Sequence, residues 1–244
     1  MTYETILTEA NKAYDCCLNN NSIMAREFLR KIQELCGSEI RLSQAKSKGG
    51  SELKRKKAAD AIIKNIPDIH EYMRGYINVG EDFICPNGNE IHNGIVLTDG
   101  YVMYIGTPIT GIEPVVNSST YLDWRSCVEG ILKHHNNTHL KNTESIDIAV
   151  LKSNLKIAKA EAKAEGIKKE DIPFRIKEAC LITHDSEGKK NAVFNADYIV
   201  KACEMLGGNK WNITTSTAVQ GGIIEGENGM CVVMPLRKPE WLEE

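Results

Sequence analysis

Aromatic residues, long apolar runs, metal-spaced cysteines and an excess of basic charge are all scarce or missing in this chain of 244 residues. Its eight cysteines include no Cys-x-x-Cys pair, so a closed zinc site or thioredoxin-type redox motif is not written in it, and free thiols in a reducing cytoplasm are expected. No apolar stretch approaches the roughly 18–20 residues that cross a bilayer. The opening Met-Thr-Tyr-Glu-Thr also lacks the basic and apolar regions of a signal peptide, so no membrane role is expected. Net charge is −3, which advertises no general affinity for nucleic acid, although a local positive lining needs no global excess. A Walker loop, a dinucleotide fingerprint and a Gly-x-Ser-x-Gly elbow are absent. Glu161, Glu165, Glu170 and Asp171 form no convincing acid pair, so no catalytic machinery and no cofactor are expected. His134-His135-x-x-x-His139 carries metal-capable nitrogens, but no Cys, Asp or Glu stands near it at ligand spacing, and it reads as solvated loop.

What is present is a helical front and a mixed remainder. Residues 3–18 and 22–36 read as a helical hairpin in which adjacent Cys16 and Cys17 point to different faces. The Ser/Gly/Lys-rich stretch after Arg41 reads as linker at first and closes in the basic run Lys54-Arg55-Lys56-Lys57, a solvated surface. Ala58, Ala61, Ile62 and Ile66 make an apolar stripe on a helix from about 51 to 66, ended by Pro67. From Tyr76 to Gly106 the period shifts toward two, with Asp99-Gly100 a strong hairpin signal. Residues 107–140 look loop-rich, which sets a boundary between domains 1–126 and 127–244. The second of these reads as a helix (147–164), strands (172–193), a helix (196–206) and strands (210–237), an α+β pattern of antiparallel sheets with helices on one face.

The densest signal lies between Phe194 and Arg237. Asn195 is placed to cap a helix whose apolar face is Tyr198, Ile199, Ala202, Cys203 and Leu206, and Gly207-Gly208 ends it. Glu225 to Gly229 is a turn into a last strand, where Pro235 cannot donate to a ladder and marks an edge or an exit from the sheet. Phe-Asn-Ala-Asp-Tyr-Ile-Val (194–200) followed by Cys-Val-Val-Met-Pro-Leu-Arg (231–237) resembles the end of the bacterial sliding clamp, the beta subunit of DNA polymerase III. Leu97 to Met103 resembles that family's Ala-Thr-Asp-Gly-His-Arg-Leu hairpin, and Tyr121-Leu-Asp-Trp-Arg125 its Phe-Pro-Asp-Tyr-Arg segment. The matches span roughly residues 95 to 244, with Tyr101, Val102, Leu122 and Gly221 departing from the family pattern.

The resemblance implies a sliding-clamp-like fold of duplicated β-α-β units and a non-catalytic role in DNA replication or repair as a processivity factor. It implies a pocket for polymerase or repair-protein peptides built from Thr98, Gly100, Tyr101, Val102, Met103, Asn195, Tyr198, Val219, Val232, Val233, Met234, Pro235, Leu236 and Arg237. Such a pocket takes a Leu or Phe anchor on an apolar floor. On the helix at 147–164, Lys152, Lys156, Lys159 and Lys163 fall within roughly 60° of one another, a stripe suited to the phosphates of double-stranded DNA or, more simply, to solvent. With room for about two clamp-like domains, a six-domain ring implies three copies of the chain. The alternative is a clamp mimic that captures clamp-binding peptides without encircling DNA.

Overall fold

Helical residues 50–63 form α1, which buries Ala58, Ala59 and Ile62. The computed structural model describes residues 50–64, 75–85, 88–112, 123–237, 239 and 241. The helices expected at 3–18 and 22–36, Cys16 and Cys17, the linker before residue 50, and Tyr121-Leu122 lie outside them. By its internal packing the chain divides into two units, Met1–Glu52 and Leu53–Glu244, and the second holds every strand and all but the start of α1 among the described residues.

The strands of this second unit are β1 (Gly75–Asn78), β2 (Phe83–Ile84), β3 (Glu90–Ile91), β4 (Ile95–Thr98) and β5 (Val102–Gly106), then helix α2 (Trp124–Asn137) and β6 (Asn142–Ile146). Helix α3 (Ile148–Glu165) and the single turn α4 (Ile172–Arg175) lead to β7 (Cys180–His184) and β8 (Lys190–Asn195). Helix α5 (Ala196–Leu206) and β9 (Trp211–Thr215), β10 (Gly222–Gly226) and β11 (Gly229–Val233) complete the order. Seven strands form one antiparallel sheet in the order β1-β4-β5-β11-β10-β9-β6, while β2-β3 and β7-β8 are separate two-stranded ribbons. The fold is thus a mixture of antiparallel sheets and helices. Residues 126 and 127 lie inside α2, and β5 and β11, from either side of that helix, pair in one sheet.

Strands β4, β5 and β11 are buried along their whole length, so both faces of the sheet need cover. On one face Leu97, Val102, Tyr104, Cys231 and Val233 pack with Ala58 and Ile62 of α1, Leu151 and Leu155 of α3, and Ile199, Cys203 and Leu206 of α5. On the other, Val96, Met103, Ile105, Met230 and Val232 pack with Val128 of α2, against which Trp124, Cys127, Ile131 and Leu132 also lie. The expectation of helices on one face is therefore corrected: side chains alternate across a strand, and here both sets are apolar. The expected loop at 107–140 is corrected with it, because Asp123 caps α2 by accepting from Ser126 N at 3.2 Å. His134 and His135 sit in its last turn, not in a solvated loop; His135 is buried, with Nε2 3.2 Å from Gly221 O.

Arg55 departs from expectation too. It is 3% exposed, donating from Nε to Met205 O (2.9 Å) and from its second terminal nitrogen to Tyr104 Oη (2.9 Å) and Thr107 Oγ1 (3.0 Å). The last carbonyls of a helix lack intrahelical partners, and Arg55 satisfies one of them on α5. Asn228 satisfies the next, donating from both N and Nδ2 to Leu206 O at 2.9 Å. Gly207, at φ 68°, allows that approach, since a Cβ there would stand 2.4 Å from Asn228 Nδ2. One residue of a basic run has thus become a buried tie between α1, α5 and the sheet.

Candidate functional site

The hairpin between β4 and β5 is built by its own polar side chains. Asp99 Oδ1 accepts from the N–H groups of Tyr101 and Val102, both at 3.0 Å, and Thr98 Oγ1 accepts from Gly100 N at 3.1 Å, with Gly100 at φ 88°. This turn leaves Tyr101 53% exposed, and its ring stacks on Tyr198 with centroids 5.8 Å apart and an interplanar angle of 13°. Tyr198 is presented by the first turn of α5, where Asn195 Oδ1 accepts from Asp197 N at 3.0 Å as the cap requires. Beyond Val233 the chain leaves the sheet before Pro235 and is fastened twice. Met234 N donates to Tyr101 O (2.8 Å) and Leu236 N to Val193 O (2.7 Å), which sets Leu236 beside the tyrosine pair.

Around these residues lies a groove of about 1060 Å³. Tyr101, Asn195, Tyr198 and Leu236 line it together with Pro173 and Phe174 of α4, the latter 37% exposed. Lys57, Asp60 and Ala61 of α1, Lys64 just beyond it, and Lys159, Lys169, Glu170, Asp197 and Lys201 border it too among the described residues. Asp197 is shared by two ammonium groups, Lys201 Nζ at 2.8 Å and Lys159 Nζ at 3.2 Å. Burial works against ionisation of Asp197, yet the hydrogen bond and charge of Lys201, with those of Lys159, hold its carboxyl below the ordinary 3.8. Lys201 Nζ also lies 5.2 Å from the centre of the Tyr198 ring, within cation–π range.

Of the fourteen residues expected at a pocket, the structure thus brings four to the groove. Gly100 is in the turn itself, and Thr98, Val102 and Val233 are buried. Met103 and Val232 point to the opposite face of the sheet, into the cluster under α2. Met234 follows them, since a Cβ on Gly221 would meet Val232, Ile131 and Met234 Sδ together. Val219 stands 70% exposed between β9 and β10, and Pro235 and Arg237 flank Leu236 without lining the groove. A period of two divides any apolar strand between two faces, so a run such as Val232-Val233-Met234 cannot serve one pocket whole.

The lysine stripe is divided as well. Lys152 Nζ bonds Glu204 Oε1 at 2.6 Å and Lys159 bonds Asp197, so two of the four face α5 rather than solvent alone. Lys156 and Lys163 are exposed, with no ion-pair partner among the described residues. Nothing local marks Phe174, and Lys57 stood out as part of a solvated basic run alone; the i,i+4 spacing of Asp197 and Lys201 on α5 was the legible local clue.

A smaller cavity of about 450 Å³ is lined by Lys133, His134, Asn137, Thr138 and Thr217, with His134 Nδ1 3.2 Å from Ser216 Oγ. Among the described residues no group of three or more His, Cys, Asp or Glu could hold a metal ion, and no helix is long and apolar enough to cross a membrane.

No protein-family model matches the chain, and no curated protein does. A similar solved structure is that of DNA polymerase III subunit beta from Borrelia burgdorferi in complex with a natural product, 14% identical with a TM-score of 0.40. The match covers 75% of this chain and 63% of that one. A likeness of this size assigns no family.

Proposed function

We propose that the protein is a non-catalytic, sliding-clamp-like accessory of DNA replication or repair that docks short apolar peptides of its partners in the groove beside Tyr101 and Tyr198. The observation that carries this reading is convergence. Tyr101, Asn195, Tyr198 and Leu236 come from a hairpin, one capped helix start and a strand exit far apart in sequence, were implied by motif resemblance alone, and border one groove. Exposed Tyr101 and Phe174 beside Leu236 offer the apolar surface on which a Leu or Phe anchor rests. The helices α3 and α5, each followed by antiparallel strands, support the duplicated-unit reading of the fold.

Fluorescence anisotropy with a labelled peptide bearing adjacent Leu and Phe tests it. The full chain binds, Tyr101→Ala and Leu236→Ala each weaken binding about tenfold or more, and Ile84→Ala, at an exposed site elsewhere, does not. Absence of binding, or equal losses in all three variants, contradicts the reading.

Contact with duplex DNA through α3 is the further part of the proposal, carried by Lys156 and Lys163. Peptide capture without DNA is the second reading, favoured by the ion pairs that engage Lys152 and Lys159. Retention on duplex DNA across a salt series separates them, since contacts to phosphate weaken steeply as salt rises.

A further inference from the structure

The cavity at the end of α2 shares no lining residue with the groove. About 450 Å³ in volume, it is walled by Gly130, Lys133, His134 and Asn137 of α2, by the cap residue Thr138, and by Thr217 two positions past β9. Each polar side chain on that wall can donate a hydrogen bond, and no carboxylate lines it. Lys133 is exposed and has no ion-pair partner among the described residues. His134 is oriented by fully buried Ser216, whose Oγ lies 3.2 Å from Nδ1; with that hydroxyl donating, the ring proton sits on Nε2 and is open to a ligand. Two features here serve no packing purpose. The Thr217 hydroxyl is buried without a hydrogen-bond partner among the described residues, which folded proteins seldom leave unanswered. Gly130 sits inside α2, where glycine costs stability relative to alanine, although a Cβ there would meet nothing within 4 Å. The space that it leaves opens on the cavity.

We infer that this cavity is a second binding site, for the phosphate group of a small molecule, and that Lys133, His134 and Thr217 read that group. The inference is independent of peptide docking in the groove. A phosphate accepts hydrogen bonds in several directions, and its charge strengthens those from an ammonium and an imidazole. Donors from α2 and from the segment after β9 approach from two elements, which suits a tetrahedral group better than a planar carboxylate. The carbonyl end of α2 works against an anion. Lys133 and His134, in or next to its last turn, offset that, as does Lys141, whose Nζ lies 3.3 Å from Asn136 Oδ1. A cation would gain from the same carbonyls but would meet Lys133 and find no carboxylate on the wall. A DNA duplex presents a line of phosphates to an extended row of cations, whereas one lysine and one imidazole in a concave site match a single phosphate.

The test follows amide chemical shifts of the full chain during titration with glycerol phosphate at constant ionic strength, with acetate and a short DNA duplex as comparison probes. Amides of residues 130–138 and of Thr217 shift saturably with glycerol phosphate. Lys133→Gln and Thr217→Val each weaken binding about tenfold, and Lys54→Gln, at an exposed lysine of α1, does not. Without ligand, Thr217→Val melts no lower than wild type, because its hydroxyl has no bond to lose, so its weaker binding is not loss of fold. Gly130→Leu, which fills the cavity from a good helix position, abolishes the shifts without lowering the melting temperature. Absence of saturable shifts at these residues, or an equal loss in Lys54→Gln, overturns the site. Acetate binding as tightly as glycerol phosphate overturns phosphate as the group that is read. The same shifts produced at lower concentration by the duplex overturn the small-molecule source and give the site to nucleic acid.

Discussion

The two faces of the seven-stranded sheet are covered by different means. On the α5 face, helix ends are tied by charged and amide side chains: Arg55 and Asn228 at the C-terminus, Asn195 at the N-terminus, and the carboxylates of Asp197 and Glu204 to lysines of α3. On the α2 face the cover is mostly apolar packing, with neutral His135 as a buried polar contact to the loop at Gly221. The α5 face therefore has exposed ends of polar ties facing the larger groove, whereas α2 borders the smaller cavity at its His134 end. In the proposed reading the docking groove lies beside positioned polar groups rather than on the most apolar strand.

The largest effect that would sharpen this contrast is at Arg55. Replacement by Ala strips the Arg55 bond from Met205 O and one of several partners from Tyr104 Oη and Thr107, and an unmet buried polar group costs about 1–3 kcal/mol, so a loss of about 2–3 kcal/mol is expected in urea unfolding. Tyr104 shares that site. Burial, only partly offset by Arg55, pushes its hydroxyl up to about 12, so it stays protonated and able to donate across the working pH range.

The next effect is pH-dependent and belongs to the other face. Burial holds the His135 imidazole below the ordinary 6.5, with Lys141 and His134 adding to the effect and the hydrogen bond to Gly221 opposing it. The unfolded chain takes up the proton first, so stability is full above about 6.5 and declines as pH falls from there toward the folded value. Between pH 7.5 and 5.5 the melting temperature of wild type should fall more steeply than that of His135→Gln; parallel curves would remove His135 from the account.

Asp197 titrates with the same sign, at lower pH and smaller size. Its depressed carboxyl contributes stability above about 3.8 that is lost as pH falls through the folded value, and Asp197→Asn at neutral pH is expected to cost roughly 0.5–1 kcal/mol. Smallest of all, Lys156→Ala and Lys163→Ala should leave stability within about 0.5 kcal/mol, as befits exposed positions. If those two changes also leave the salt dependence of DNA retention untouched, peptide capture without DNA is the reading that stands.

Local periodicity carried much of the α5 face into the sequence. The cap at Asn195, the helix over Ala196–Leu206, the Gly207 stop and the Asp99-Gly100 turn each depend on residues within a few positions of one another. Helix α2 was also encoded, in Asp123 as cap and in Trp124, Cys127, Val128, Ile131, Leu132 and His135 at helical spacing, but Gly130 and the polar His/Asn end masked it. Burial of Arg55 was not legible, because its acceptors are up to 150 positions away. The groove was half legible for the same reason. Motif resemblance supplied Tyr101, Asn195, Tyr198 and Leu236, whereas Phe174 and Lys57 join them only through tertiary packing.

Photo-crosslinking bears on the central claim most directly. A peptide with a benzophenone-bearing anchor in place of Phe, irradiated with the full chain and mapped by mass spectrometry, should label the segments holding Tyr101, Phe174, Tyr198 and Leu236, and excess unlabelled peptide should suppress those adducts. Adducts confined to the Val219 and Met234 side, or none that compete, would contradict a docking groove on the α5 face.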